Sequence, residues 1–225
     1  MPETKDRDET EEMKTDDLIT LLASDPAPAP AASLGLRAGI GLLAGLAVTL
    51  VLFFWLLGPR YALFRAESDP VVAAKTVLPL VLGLLAVVLT LRSVRPGAPL
   101  GRTRRAIWLV PAAGAALFLW SFVTTPEQAR LRDFLGHSIP VCLPFIVVLS
   151  VPLYAGFLAA LRSGAATRPV LSGALAGLAA AGIATTVYSM FCNEDSPLFY
   201  ATWYSAGILI ATGLGAAAGA RLLRW

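Results

Sequence analysis

Six apolar blocks constrain most strongly what this chain can fold into. Each block is about 20 residues long, which is enough for a helix to cross a hydrocarbon core of roughly 30 Å. Hydrophobic residues make up 56% of the 225 residues, more than a soluble domain of this length requires. The sequence therefore predicts an all-α, polytopic membrane protein with six transmembrane helices within residues 36–225. The predicted spans are 36–57, 71–92, 106–124, 139–161, 169–191 and 199–220.

The distribution of basic residues predicts the orientation of these spans. With the N-terminus inside, ten basic residues fall on the inner side and five on the outer side. Because cytoplasmic loops carry an excess of Lys and Arg, both termini are predicted in the cytoplasm. The inner residues are Arg37, Arg92, Arg95, Arg102, Arg104, Arg105, Arg162, Arg168, Arg221 and Arg224, and the outer ones are Arg60, Arg65, Lys75, Arg130 and Arg132.

The residues ahead of the first span divide into three parts. Residues 1–12 are almost all polar and mostly acidic, which predicts a disordered tail. Residues 13–25 predict a short cytoplasmic helix. Residues 26–35 are rich in Pro and Ala and predict an extended linker between this helix and the membrane domain.

The helix predicted at 13–25 has an apolar stripe that nothing nearby in the sequence can cover. The stripe follows the i, i+3, i+4 spacing, and two aspartates stand in the first turn, where the helix dipole favours negative charge. Because so short a helix is marginal alone in water, the pattern favours folding onto a groove of a partner protein. The alternative is a tail that lies on the bilayer surface. The predicted partner-binding residues are Asp16, Asp17, Leu18, Leu21 and Leu22.

Two cysteines stand at corresponding ends of adjacent predicted spans. Cys142 opens the fourth span and Cys192 closes the fifth, so both thiols are predicted at similar depth on the outer side. This placement allows a disulfide or a shared thiophilic metal ion such as zinc or cadmium, without an obligatory cofactor. His137, Glu194 and Asp195 are weaker candidate ligands. The alternative is that each cysteine is a small apolar residue packed in a helix end.

Two further patterns concern how the spans pack. Small residues four apart at 41–45, 173–177 and 215–219 predict close contacts between helices. Aromatic residues in the last outer segment suit the headgroup region of a bilayer. They are Phe199, Tyr200, Trp203 and Tyr204.

The sequence lacks the residue patterns that several other classes of function require. The sequence contains no His-Glu-x-x-His pattern, nucleophile elbow or Gly-rich phosphate loop, so we predict that the chain is not an enzyme. Lys75 is the charge deepest in a predicted span, and snorkelling to the headgroups explains it. A small-solute transporter or channel that depends on Lys75 is the alternative function. The basic segment 92–105 follows from membrane orientation, so no direct nucleic-acid binding is predicted.

Four segments carry a family resemblance over residues 13–225. They begin at Met13-Lys-Thr-Asp-Asp-Leu-Ile, Cys142-Leu-Pro-Phe-Ile, Cys192-Asn-Glu-Asp-Ser-Pro and Gly219-Ala-Arg-Leu-Leu-Arg. The chain resembles the NrsF-like family of bacterial six-span membrane anti-sigma factors, formerly a domain-of-unknown-function family. That family often has His before its second cysteine, whereas Phe191 stands at this position here.

The resemblance implies a function for both ends of the molecule. The N-terminal segment would sequester an extracytoplasmic-function sigma factor at the bacterial inner membrane. Cys142 and Cys192 would face the periplasm and trigger release of the sigma factor under heavy-metal or oxidative stress. Transcription would then change without any contact between this chain and nucleic acid.

Overall fold

The structure is a computed structural model that describes residues 15–24, 34–61, 63, 67–93, 101–162 and 168–223. It divides into two units, of which the first ends at Ser33 and the second begins at Leu34. In the first unit, helix α1 (Thr15–Ser24) lies where the sequence predicts a short helix. The predicted tail 1–12, most of the linker 26–35 and the side chains of Asp17, Leu18, Leu21 and Leu22 lie outside the described residues.

The regular secondary structure of the second unit is helical, and its described residues contain no strand. Six of its stretches are long and apolar enough to cross a membrane, which confirms the predicted fold class. The helices are α2 (Leu34–Leu56), α3 (Pro70–Ser93), α4 (Gly101–Ala106), α5 (Leu109–Thr124), α6 (Glu127–Leu135), α7 (Ile139–Leu161), α8 (Pro169–Ser189) and α9 (Pro197–Leu222).

Helix α8 is the centre of the bundle, and every residue from Ala179 to Ser189 is buried. It contacts α3, α7 and α9, so neighbours surround it on several sides. Small residues make this possible because they let helix backbones approach closely. Gly173 and Gly177 face α9 at Gly215, and Gly182 faces α3 at Gly83. Two of the three small-residue patterns predicted from the sequence, 173–177 and 215–219, thus lie at the α8–α9 contact.

Helix α2 packs mainly against α7, the helix that carries Cys142. Gly41 of α2 meets Gly156 of α7 backbone to backbone. Further along, the buried Thr49 hydroxyl donates a 3.0 Å hydrogen bond to the Leu149 carbonyl. A hydroxyl that bonds across helices satisfies its polar group where water is absent. Helix α2 is therefore joined to α7 by packing and by a hydrogen bond.

Helix α6 forms where the sequence analysis placed an outer loop. Glu127 in its first turn and Arg132 in its last turn complement the helix dipole, which favours a helix despite the many charges. The carbonyl of Phe134 accepts a 2.8 Å hydrogen bond from the Trp203 indole N–H, and the two rings lie 5.7 Å apart. Helix α6 is thereby tied to the beginning of α9.

Candidate thiol site

The two cysteines lie at one end of the bundle, which we term the cysteine end. It is formed by the last residues of α2 and α8 and the first residues of α3, α7 and α9. The Arg60 N–H, beyond α2, donates to the Met190 carbonyl beyond α8 at 2.9 Å. The Tyr200 hydroxyl of α9 donates to the Val71 carbonyl of α3, also at 2.9 Å. These contacts join segments that are distant along the chain.

Both cysteines are free, buried and part of the same core cluster. Cys142 lies in the first turn of α7, and its N–H donates to the Ser138 carbonyl at 2.7 Å. Cys192 lies just beyond α8, and its N–H donates to the Tyr188 carbonyl at 3.3 Å. The fold thus brings together two thiols that are 50 positions apart in the sequence.

Two tyrosines complete the polar part of this cluster. The rings of Tyr188 and Tyr204 pack edge to face with centroids 5.9 Å apart. The Tyr188 hydroxyl lies next to both Cys142 and Cys192, and the Tyr204 hydroxyl lies next to Cys192. Neither hydroxyl has a nitrogen or oxygen atom as a hydrogen-bond partner, although both are buried, and their polar neighbours are the weakly accepting thiols. An unpaired buried hydroxyl costs about 1–3 kcal/mol, so this arrangement is unusual for an ordinary apolar core.

The aromatic residues of α9 differ from their predicted placement. Their aromatic character suits the headgroup region of a bilayer, but Phe199, Tyr200 and Tyr204 are buried in the core cluster. Trp203 is half-buried and bonded to α6. The reason is that the first turns of α9 pack against α8 rather than facing outward. Tyr204 therefore belongs to the thiol site.

The three weaker candidate ligands do not join the thiols. The His137 side chain is 90% exposed. The Glu194 carboxylate accepts hydrogen bonds from the His137 N–H at 2.8 Å and from the Ser138 hydroxyl at 3.4 Å. Asp195 is bound by two cations. Among the described residues, no three His, Cys, Asp or Glu side chains are grouped closely enough to hold a metal ion.

Lys75 is bound inside the protein, so the snorkelling interpretation is wrong. Its side chain is 0% exposed, and its ammonium group donates to Asp195 Oδ1 at 2.6 Å and to the Cys192 carbonyl at 2.8 Å. The Arg60 guanidinium donates to the same carboxylate at 2.8 Å and to the same carbonyl at 3.2 Å. We term Arg60, Lys75 and Asp195 the ion triad.

The ion triad places two buried cations on one carboxylate. The Arg60 side chain is 4% exposed and the Asp195 side chain 38% exposed, so water reaches only the acid. Two buried cations need this partner because an unpaired buried charge is costly. Both cations also bind the carbonyl of Cys192. The triad therefore holds the Cys192 segment to α3 and to the residues that follow α2.

A cavity of about 710 Å³ lies between α3, α5 and α9. Lys75 and Tyr204 line it, but most of the lining side chains are apolar. The transporter alternative predicts a polar path across the bundle. The described side chains around this cavity are mostly apolar and do not form a polar path across the bundle.

Comparison with known protein families shows which family this chain belongs to. Residues 22–225 match the family described as "Negative regulator of sigma F". The chain belongs to this family. The resemblance inferred from the four sequence segments is thereby confirmed. The family match begins inside α1, whereas the resemblance was predicted from residue 13.

Two curated relatives of this family match nearly the whole chain. One, named "Anti-sigma-F factor NrsF", from Caulobacter vibrioides (strain NA1000 / CB15N), is 39% identical over 222 residues. Another, named "Probable anti-sigma-F factor NrsF", from Azospira oryzae (strain ATCC BAA-33 / DSM 13638 / PS), is 32% identical over 213 residues. Each match covers 95% of this chain and 100% of the relative. No solved structure matches.

Tyr188 and the grouping of the ion triad were not predicted from the sequence. Tyr188 stands four positions before Cys192, a spacing that puts two side chains on one face of a helix. That spacing was a usable signal for Tyr188. Nothing local connects Lys75 with Asp195, which lies 120 residues away.

Proposed function

We propose that this chain is a membrane-anchored anti-sigma factor, a regulator of transcription without enzymatic activity. The observation that carries the proposal is the 39% identity over the full length of a relative named "Anti-sigma-F factor NrsF". Six helices suited to crossing a membrane support the anchoring role. We further propose that the partner is an extracytoplasmic-function sigma factor and that both termini lie in the cytoplasm of the bacterial inner membrane.

The N-terminal helix is the proposed contact with the sigma factor. Helix α1 belongs to a unit of its own, and Ile19 on it is 58% exposed. The i, i+4 spacing places Leu18 and Leu22 on one face, with Asp16 and Asp17 in the first turn. Apolar anchors at this spacing suit insertion of a helix into a groove. Occupying that groove would keep the sigma factor from RNA polymerase.

A double charge substitution tests the proposed contact face. We expect Leu18→Asp with Leu22→Asp to weaken binding of the sigma factor by about a hundredfold or more, because two carboxylates would replace apolar anchors worth about 1.5 kcal/mol each or more. The measurement is co-purification of the cognate sigma factor with the full-length protein, followed by titration. Thr20→Asp is the matched control, since Thr20 is exposed and lies on the opposite side of α1. Equal binding by the double variant and the control would contradict the assigned face.

The thiol site is the proposed sensor. We propose that a thiophilic metal ion binds the Cys142 and Cys192 sulfurs, or that an oxidant accepts two electrons as the thiols lose two protons and join. Both events need two free thiols close together, and the buried pair supports this requirement. Either event would change the packing of α7 against the residues beyond α8. Release of the sigma factor requires that this change favours a second state of the protein.

Replacement of both thiols separates sensing from sequestration. We expect Cys142→Ser with Cys192→Ser to hold the sigma factor as well as the unmodified protein does, but to lose induction by cadmium or peroxide. Serine is close in size to cysteine, so the core is disturbed little, whereas its hydroxyl neither binds soft metals nor forms disulfides. The measurement is a reporter driven by a promoter that depends on the sigma factor. Normal induction in this variant would rule out the sensor role.

A further inference from the structure

The thiol site contains more donor atoms than a pair of cysteines requires. Two free thiols and two tyrosine hydroxyls converge in an otherwise apolar cluster. Both hydroxyls are buried and have no nitrogen or oxygen atom as a hydrogen-bond partner. Buried hydroxyls normally have a strong hydrogen-bond partner, so a Tyr188 hydroxyl whose polar neighbours are two weakly accepting thiols points to a group that binds all three. The inference below rests on the proposed sensor role of the cysteines.

We propose that Tyr188 is the third ligand of a thiophilic divalent metal ion bound by Cys142 and Cys192. The two thiols would release their protons to solvent as two metal–sulfur bonds form. The Tyr188 hydroxyl would keep its proton and share an oxygen lone pair with the metal. Two thiolates and one dication have no net charge together. This suits the apolar core, because burying a net charge there costs free energy.

The choice of Tyr188 follows from its position. Its hydroxyl lies next to both Cys142 and Cys192, and its side chain is 0% exposed. The Tyr204 hydroxyl pairs with Cys192 but not with Cys142. No third His, Cys, Asp or Glu in the described part of the chain accompanies the thiols. An oxygen donor on α8 is therefore the group best placed to extend the coordination.

Thiophilic metal ions differ in the number of donor atoms they prefer, and this difference makes the assignment of Tyr188 testable. Cadmium and zinc favour four donors, so a third protein ligand strengthens their binding. Mercury(II) binds two thiolates in a linear arrangement and needs no third donor. Tyr188 should therefore determine which thiophilic ions the site accepts. Loss of the hydroxyl should affect cadmium and spare mercury.

The experiment compares both ions on the full-length protein in detergent. We expect Tyr188→Phe to weaken Cd²⁺ binding by about tenfold or more while Hg²⁺ binding stays within a factor of about two. The ¹¹³Cd NMR shift should also change, since one oxygen donor is lost. Tyr154→Phe is the matched control, because it removes a tyrosine hydroxyl from the same helix as Cys142, bonded to the Gly215 carbonyl about three turns away from the thiols, and should leave both affinities unchanged.

Each outcome separates this inference from the proposed sensor role. Unchanged Cd²⁺ affinity and an unchanged ¹¹³Cd shift in Tyr188→Phe would overturn the third-ligand assignment. Equal losses of Cd²⁺ and Hg²⁺ binding would also overturn it, because they would indicate a general disturbance of the core. The Cys142→Ser, Cys192→Ser variant should lose both ions. If that variant binds both ions normally, the sensor role itself fails, whatever Tyr188→Phe does.

Discussion

Asp195→Ala is expected to destabilise the bundle by about 3 kcal/mol, because it leaves two buried cations without a partner. Lys75 is fully buried, and Arg60 is nearly so. This loss of stability is at the lower end of the range for breaking a buried ion pair, because the Asp195 side chain is 38% exposed and water already screens its charge. The measurement is unfolding of the purified protein in mixed micelles, with the free energy of unfolding extrapolated to zero denaturant.

Two controls distinguish the ion triad from a general effect of charge removal. Asp133→Ala breaks a contact with Arg132, whose side chain is 75% exposed, and should change stability by less than about 0.5 kcal/mol. Lys75→Met leaves one cation on one carboxylate, so it should cost less than Asp195→Ala. A loss for Asp195→Ala no larger than that for Asp133→Ala would show that the triad does not stabilise the fold.

The ion triad also connects the thiol site with α2. Arg60 follows α2, donates its N–H to Met190 and binds the Cys192 carbonyl through its side chain. Helix α2 in turn packs on α7, which carries Cys142. The Cys142 helix therefore packs on α2, the helix that comes next to α1 in the described chain, and the Cys192 segment is bonded to Arg60, four residues beyond the end of α2. Under the proposed function, a change at the thiols would reach the sigma-binding helix through these contacts and then along the chain that joins α2 to α1.

The spans could be predicted from the sequence because membrane crossing depends on local composition. For example, the predicted span 71–92 lies within helix Pro70–Ser93. The relative placement of Cys142 and Cys192 followed from alternating span direction, which is also a property of the chain order. Residues 127–135 were predicted as loop because their charges exclude a span, yet charges at the right ends favour the short helix α6.

The polar partners of the site could not be predicted in the same way. The interpretation of Lys75 assumed that a lone cation in a span must reach water. Its partner Asp195 lies in a segment that α3 meets only after the helices have packed. Tyr204 is an aromatic residue near the end of a predicted span, and the sequence does not distinguish it from an aromatic residue at the membrane interface. Only the packing of α8 against α9 decides that its hydroxyl lies beside Cys192.

Gly215→Leu is expected to force α8 and α9 apart and to destabilise the bundle by about 3 kcal/mol, the upper end of the usual cost of overpacking. A Cβ atom on Gly215 would lie 2.8 Å from the Gly173 carbonyl oxygen and 2.8 Å from the Gly177 Cα atom. These are backbone atoms, so no side-chain rotation can relieve the clash. Gly213→Leu is the matched control on the same helix, because a Cβ atom there meets nothing within 4 Å.

The pair of glycine variants also tests whether the thiol site depends on this helix contact. Tyr188 and Tyr204 are held together by the packing of α8 on α9, so separating these helices should open the thiol cluster. We expect Gly215→Leu to make Cys142 and Cys192 react faster with a small alkylating reagent in native micelles, whereas Gly213→Leu reacts at the original rate. The measurements are the free energy of unfolding and the alkylation rate by mass spectrometry. If Gly213→Leu and Gly215→Leu behave alike in both measurements, close packing at Gly215 does not hold the thiol cluster closed.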